Sequence, residues 1–434
     1  MLRIIRLIKK AVKHLRENGT KETALKTARK IKDRLNKRSP SGPQTIQADR
    51  LFWEKFNHIQ PVKHIDVNRD KPRFNMVTDC LSSWNLFGGV ATAIILSTIF
   101  AKKTGMPLRI ITRYAENNPR DYFDFIDFYK LDKPENVEFY SDHERSYKQN
   151  IYKLEVSKND IFMSTSWWTT RAIKNANRRS RCLYLLQETE YAFYPNGDDQ
   201  SFCREILDDA SVDFIVNSKL LHDHYVLNGF ENIAKNSTYF EPAFPKHIYF
   251  PGEGSFKSKH KKKLFFYARP NNPRNLFYRG MKLIDDGFRS GILDKDGWDI
   301  CFAGERTPDL VFCNGAAPIQ LGKLGLKEYA DFLRTIDIGV CLMYTPHPSY
   351  PPLDVAASGG IVLTNRYGNK QHMDYSENII CGDLEGLGMM DGLEKCVKLA
   401  QDPVLRKKNY LNNKISTDWE TSLAGTIDFM SRSI

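Results

Sequence analysis

The chain has 434 residues and is 41% hydrophobic, enough for roughly two to three domains with real cores. Its formal charge of +12 raises nucleic acid or an anionic membrane as partners, but residues 1–40 hold fourteen Lys/Arg against three Asp/Glu, so the other 394 residues carry about +1 and the body is not a basic protein. None of the eight cysteines forms a CxxC pair and several lie in apolar runs, which argues against zinc spacing or a small disulfide scaffold and for a reduced, cytosolic compartment. No apolar run reaches the ~18–20 residues that span a bilayer. Charges interrupt the first apolar positions, so a signal peptide is not expected.

Residues 1–17 place Leu2, Ile5, Ile8, Val12 and Leu15 at three- and four-residue spacing among basic residues, which predicts a basic amphipathic helix. Such a helix suits an anionic membrane surface, or packs on a partner with its basic face solvated. Ser39-Pro40-Ser41-Gly42-Pro43 reads as a linker.

From about residue 50 strands and helices alternate. Candidate strands are Phe74–Cys80, Leu108–Thr112, Val137–Tyr140, Asp160–Ser164, Cys182–Gln187 and Asp213–Asn217, with a helix at Val90–Lys102. That alternation predicts a doubly wound, mostly parallel sheet, with ligands beyond the carboxyl ends of its strands. Three loops follow those ends. Gly88-Gly89 before a helix permits close backbone approach, or is merely a turn. Ser164–Thr170 offers Trp167 and Trp168 as sugar platforms or as core. Gln187–Glu190 offers Glu188 and Glu190 to acceptor hydroxyls, or is a solvated acidic turn.

Prolines 242, 245 and 251, then the lysine run Lys257–Lys263, read as a solvated connector. A second alternating region follows, with strands at Leu264–Tyr267, Trp298–Phe302, Ile319–Leu321, Ile338–Met343 and Ile361–Leu363 and a helix at Leu326–Arg334. Arg269 and Lys323 each follow a strand, where a cation can grip a phosphate. In His347–Asn365, Pro348, Pro351 and Pro352 predict an extended loop, and Leu353–Ser358 a short helix ended by Gly359-Gly360. The free N–H groups at that helix start favour a diphosphate. Asp354 is expected in its first turn, accepting hydrogen bonds from sugar hydroxyls or only complementing the helix dipole. Asp294-Lys295-Asp296 is read as a turn, and Trp419–Met430 as a closing helix.

The run Asp354-Val-Ala-Ala-Ser-Gly-Gly-Ile-Val-Leu363 resembles the retaining GT-B glycosyltransferases of family 4, with Asp where the family usually has Glu and His347 where the first acid of its Glu-x7-Glu pair would fall. His347–Leu353, Gln187–Glu190 with Phe193-Tyr194-Pro195, Val216-Asn217-Ser218 and Tyr267–Pro270 with Arg274-Asn275 are similar to segments of dTDP-rhamnose-dependent rhamnosyltransferases of bacterial surface-polysaccharide assembly. The resemblance implies a GT-B α/β fold, two Rossmann-like domains facing a cleft. The expected division is a basic helical arm over 1–45, an acceptor domain over 46–250, a nucleotide-sugar domain over 251–414 and a helix over 415–434 crossing back. It implies Arg269 and Lys323 as catalytic, Tyr267, Pro270, His347, Ser349, Tyr350 and Asp354 as donor-binding, and Gly88, Gly89, Trp167, Glu188 and Glu190 as acceptor-binding. No metal or other cofactor is expected. The expected partners are dTDP-rhamnose, a glycan acceptor that is lipid-linked in one reading, and an anionic membrane on the cytoplasmic face through residues 1–40, with no nucleic acid. Two rivals stay open: a GT-B hexosyltransferase or epimerase with another nucleotide sugar, and a nucleic-acid-binding protein acting through the arm.

Overall fold

A computed structural model describes residues 46–83, 86–115, 117–142, 154–176 and 182–433. The basic arm over 1–45 and Trp84-Asn85 lie outside the described residues. The chain divides into two units, 1–57 and 58–434. In the first, the helix Ala48–Lys55 carries an Arg50–Glu54 ion pair at 2.8 Å.

The second unit contains two large sheets and a small one, in which β1 (His64–Asp66) pairs in parallel with β5 (Leu154–Val156). The first large sheet joins β2 (Phe74–Thr78), β3 (Leu108–Thr112), β4 (Val137–Ser141), β6 (Ile161–Ser164), β7 (Cys182–Leu186), β8 (Val212–Asn217) and β9 (Ser237–Phe240) in the order β4-β3-β2-β6-β7-β8-β9. Every ladder in it is parallel. Parallel strands covered on both faces are apolar without alternation, and β2, β3, β7 and β8 are buried along their whole length. Helix α1 (Gly88–Thr104) is buried continuously from Ala91 to Ala101, as a helix apolar all round must be. Helix α2 (Pro119–Tyr129) is amphipathic, with the Asn118 side chain capping its start.

The second large sheet has the order β12-β11-β10-β13-β14-β15, built from β10 (Lys262–Tyr267), β11 (Trp298–Ala303), β12 (Ile319–Gly322), β13 (Ile338–Val340), β14 (Ile361–Asn365) and β15 (Ile379–Gly382). It too is entirely parallel. Helix α3 (Tyr350–Ala357) leads into β14. Helix α4 (Trp419–Arg432) packs on β9 and α1 of the first lobe. Strand order reverses between β2 and β6 in one sheet and between β10 and β13 in the other. Crevices open at such switch points, so the loops after these strands are where a ligand is expected.

Three expectations change. The lysine run is not a solvated connector: Lys262 and Lys263 open β10, and Lys259 Nζ lies 2.8 Å from Asp337 Oδ1. The strand from Ile338 stops at Val340, because beyond it the Asn365 side chain takes the Met343 N–H at 2.8 Å and donates to the Met343 carbonyl at 3.0 Å. The helix near Asp354 starts at Tyr350, so Pro351 and Pro352 occupy its first turn instead of an extended loop. Proline fits there because its missing N–H has no helical acceptor.

One buried ionic knot ties the first lobe. Asp160 accepts from the Arg73 backbone and guanidinium at 2.9 Å each and from Ser157 N–H at 3.0 Å, with Arg109 3.5 Å away. Burial and the neighbouring Arg73 charge lower the Arg109 pKa to about 10. Asp160→Ala removes the buried carboxylate between two buried cations and leaves the half-buried Glu138, 3.5 Å from Arg73, as the remaining acid. It should destabilise the protein by about 3–5 kcal/mol, read as a shift in the denaturant midpoint; a shift worth under about 1 kcal/mol would contradict this account.

Candidate functional site

The helix start at Tyr350 is where the two lobes meet. Ser349, buried with φ +68°, turns the chain into α3. The Tyr350 hydroxyl reaches the first lobe: the Asn217 amide at the end of β8 donates to it at 2.9 Å, and it shares a short hydrogen bond with Thr92 on α1. Gln187, just past β7, holds this corner by donating to the Gly89 carbonyl at 2.9 Å and accepting from Asn217 at 3.3 Å. Gly88 has φ +52°, and a Cβ there would stand 3.9 Å from the Tyr350 ring. Gly88 and Gly89 are thus the first residues of α1, facing the second lobe. A left-handed conformation at Gly88 is one that side-chain-bearing residues rarely adopt.

A second bridge uses Glu188. Its carboxylate pairs with Arg274 at 2.6 Å and accepts from the Thr345 hydroxyl, both on the second lobe. The Arg274 guanidinium also lies over the Phe193 ring, 4.0 Å from its centroid. Glu188 therefore joins the lobes and does not stand free for an acceptor hydroxyl. The neighbouring Asn275 side chain donates to the Leu342 carbonyl at 3.3 Å, and Tyr344 N–H bonds the Arg274 carbonyl at 2.7 Å. The loops after β10 and β13 are thereby fixed to each other.

The expected cations sit along the carboxyl edge of the second sheet. Arg269, two residues past β10, donates to the Tyr267 hydroxyl at 3.3 Å and lies 5.9 Å from its ring centroid. Pro270, half-buried, follows it. Lys323 follows β12 and pairs with Glu305 at 2.9 Å. The Lys323 ammonium, with the Arg269 charge, holds the Glu305 carboxyl below its ordinary range. Lys323 pairs with this acid directly, while Arg269, 54 positions earlier in sequence, acts on it only through its charge.

His347 is buried, and its Nδ1 accepts the Ser349 N–H at 2.9 Å, which leaves the proton on Nε2 in the neutral ring. Burial, then the charges of Lys370 and Arg274, lower its pKa to about 3. Lys370 was not among the expected residues. It is fully buried, donates to the Met343 carbonyl at 3.2 Å, and burial lowers its pKa to about 8. Lysine after Gly368-Asn369 reads as a solvated turn, and only the packing of that turn places it under the cleft. His347 Nε2 is a buried atom without a hydrogen-bond partner among the described residues.

Three of the expected ligand contacts are buried in the structure. Trp167 is core: its ring is fully buried and its indole N–H goes to Tyr194 at 3.0 Å. Glu190 is buried beneath the same helix, accepts the Trp167 N–H at 2.9 Å, and burial pushes it up to about 7. Asp354 lies in the second turn of α3, not the first, and is 5% exposed. The Tyr329 hydroxyl donates to it at 3.3 Å; burial pushes it up to about 7 against hydrogen bonds from Tyr249 and Tyr329. It is a packed carboxyl with tyrosine partners. Asp294 closes its own turn, taking the Gly297 N–H at 2.5 Å and the Asp296 N–H at 3.1 Å.

Residues 73–203 match the family described as WsaF, N-terminal domain, and residues 262–394 the family described as WsaF, C-terminal domain. Together the matches cover more than half of the chain. The chain belongs to the WsaF family. The WsaF N-terminal match takes in β2 through β7 and the C-terminal match β10 through β15. The O-antigen biosynthesis protein RfbC of Myxococcus xanthus is 25% identical over 268 residues, 61% of this WsaF-family chain and 20% of RfbC, so the chain spans about a fifth of that relative. A point mutant of TarM from S. aureus, crystallised with fondaparinux, α-GlcNAc-glycerol and UDP, superposes with a TM-score of 0.58 at 11% identity, over 83% of this chain and 99% of TarM. Anabaena Alr3699/HepE, in complex with UDP and glucose, gives 0.55 at 9% identity over 84% and 100%. Sucrose-phosphate synthase of Thermosynechococcus elongatus gives 0.55 at 9% over 83% and 99%. The fold is GT-B, two parallel-sheet α/β domains.

The buried carboxyls make stability depend on pH. A carboxyl whose folded pKa is raised adds stability below its unfolded value of ~4 and loses it as pH rises through about 7. The melting temperature should therefore fall between pH 4 and 7 from these groups. Asp354→Asn, neutral at every pH, should reduce that slope and raise the melting temperature at pH 8 by about 3 °C or more. An unchanged slope would show that Asp354 is ionised at little cost.

Proposed function

We propose that the protein is a glycosyltransferase that moves a sugar from a nucleoside diphosphate to a glycan acceptor in bacterial surface-polysaccharide synthesis. The observation that carries this reading is the row of cations at one sheet edge, Arg269, Lys323, Arg274 and Lys370, beside the start of α3 in a chain with both WsaF domains. RfbC, named for O-antigen biosynthesis, supports the pathway, and the nucleotide in the TarM and HepE complexes supports the substrate class. On the resemblance to dTDP-rhamnose enzymes, the sugar is rhamnose, transferred with retention.

The chemical problem is departure of a diphosphate from the anomeric carbon. Negative charge grows on the leaving oxygen as the sugar becomes oxocarbenium-like. Fixed cations and N–H dipoles aimed at that oxygen lower the barrier. Arg269 and Lys323 carry this role, with the Tyr350 N–H at the start of α3. Glu305 holds Lys323 in place beforehand and Tyr267 holds Arg269, and Lys323 exchanges its carboxylate partner for the phosphate. The neutral His347 presents Nε2–H to an oxygen of the donor. Burial, then the charges of Lys370 and Arg274, keep it neutral, so it donates at every physiological pH.

Lys323→Ala should lower turnover at saturating donor by about 10²–10³, and Arg269→Ala by at least as much. Arg269→Lys should rescue poorly, because an ammonium does not copy a planar fork. Wild-type turnover with only a raised donor KM would make both residues uniform binders and remove the leaving-group role. Calorimetry with nucleoside diphosphates tests the donor: dTDP should bind more tightly than UDP, and the reverse order would favour a UDP-hexose, as in the HepE complex. The reaction should proceed in EDTA; arrest by EDTA and recovery with Mg²⁺ would overturn the metal-free mechanism.

A further inference from the structure

Of the residues expected to hold the acceptor, Trp167 and Glu190 are buried and Glu188 joins the lobes, which leaves the half-buried Gly88 and Gly89. A pocket of about 560 Å³ lies elsewhere in the cleft, between α2 with the loop before α1 on one side and the turn Lys323–Lys327 on the other. That volume is in the range of small-molecule sites. Asp121, Asp124 and Phe128 recur at three- and four-residue spacing along α2 and so share one face of it. Asp121 is committed: it takes the Ser83 N–H at 2.8 Å and the Asn118 amide at 3.0 Å. Asp124 is exposed, and Phe87 and Phe128 are half-buried beside it. Lys323, already placed at the leaving group, closes the other side.

Resting on the glycosyltransferase reading, we propose that this pocket is the acceptor subsite and takes a neutral hexopyranose unit of a glycan. The chemistry of its walls argues for a sugar. Aromatic rings offer apolar surface to the C–H face of a pyranose. A carboxylate accepts two hydroxyl hydrogen bonds, charge-assisted and stronger than neutral ones. Two carboxylates on the α2 wall face Lys323 and Lys327 on the opposite turn, so the anionic donor is drawn to the second-lobe side and the neutral partner to the α2 side. A hydroxyl held there lies in the pocket that Lys323 itself lines, on the side of the cleft facing the departing diphosphate.

The test uses the full chain and three probes: the methyl pyranosides of rhamnose, glucose and mannose, observed by saturation-transfer NMR. At least one should receive saturation from the wild type. Asp124→Asn and Phe128→Ala should each weaken that signal at least about fivefold, the worth of a lost charge-assisted hydrogen bond or ring contact. The dissociation constants of dTDP and UDP, measured on the same samples by calorimetry, should stay within about twofold. No saturation of any probe by the wild type, or a signal that survives both substitutions, overturns the assignment. Weaker nucleotide binding in the Asp124→Asn protein also overturns it, since the pocket would then serve the donor. Asp124 is an exposed surface residue, so its substitution decides the matter even if Phe128→Ala fails to fold. Sugar binding that meets these expectations in a protein that binds no nucleoside diphosphate would leave the subsite standing and remove the glycosyltransferase reading.

Discussion

The hydroxyl of Tyr350 sets the geometry on which the cleft depends. Its helix belongs to the second lobe, while its partners Asn217 and Thr92 belong to the first. The bond lies at the start of α3, so whatever fixes the lobes also aims the Tyr350 N–H, since the Ser349 N–H is taken by His347 and Pro351 and Pro352 have none. Burial raises the tyrosine's pKa, and the hydroxyl therefore stays protonated and able to donate. Glu188 adds an ionic bridge through Arg274 and Thr345. These two contacts, one neutral and one charged, hold the sheet edges face to face around the switch points of both sheets.

Charge is distributed unevenly around that junction. The second-lobe edge carries cations: Lys323 is held by the Glu305 carboxylate and Arg269 by the Tyr267 hydroxyl. The deeper pair, Arg274 and Lys370, has Glu188 as its nearby acid. The surplus of positive charge makes the edge suited to an anion and adds to the burial that keeps the imidazole of His347 uncharged. The first-lobe wall at α2 presents carboxylates instead. A reaction that separates an anionic leaving group from a neutral nucleophile needs this kind of division, since it stabilises charge on one side without drawing the second substrate into the same place.

Much of the fold was legible in the sequence because both sheets are parallel. Strands covered on two faces read as continuous apolar runs, and Leu108–Thr112 was bounded correctly on that signal alone. Gly88-Gly89 before an apolar helix was also readable, since the glycine is required by the backbone. What failed was burial of polar groups. Trp167, Glu190 and Asp354 lie in segments whose pattern suits a site, but each turns inward to a partner far away in sequence or on the next helix: Tyr194, the Trp167 N–H and Tyr329. No periodicity marks such pairs. Lys370 was missed for the mirror reason: a lysine in a turn reads as solvated unless the neighbouring loop is known to cover it. Pro351 and Pro352 misled locally, because the same residues suit an extended loop and the first turn of a helix.

The central claim is that the second-lobe edge, with the start of α3, receives the nucleoside diphosphate. Amide hydrogen exchange with and without a saturating nucleoside diphosphate tests it most directly. The account predicts slower exchange in residues 268–275, 322–327 and 345–353. Protection confined to the first lobe, or no change at the start of α3, would contradict it.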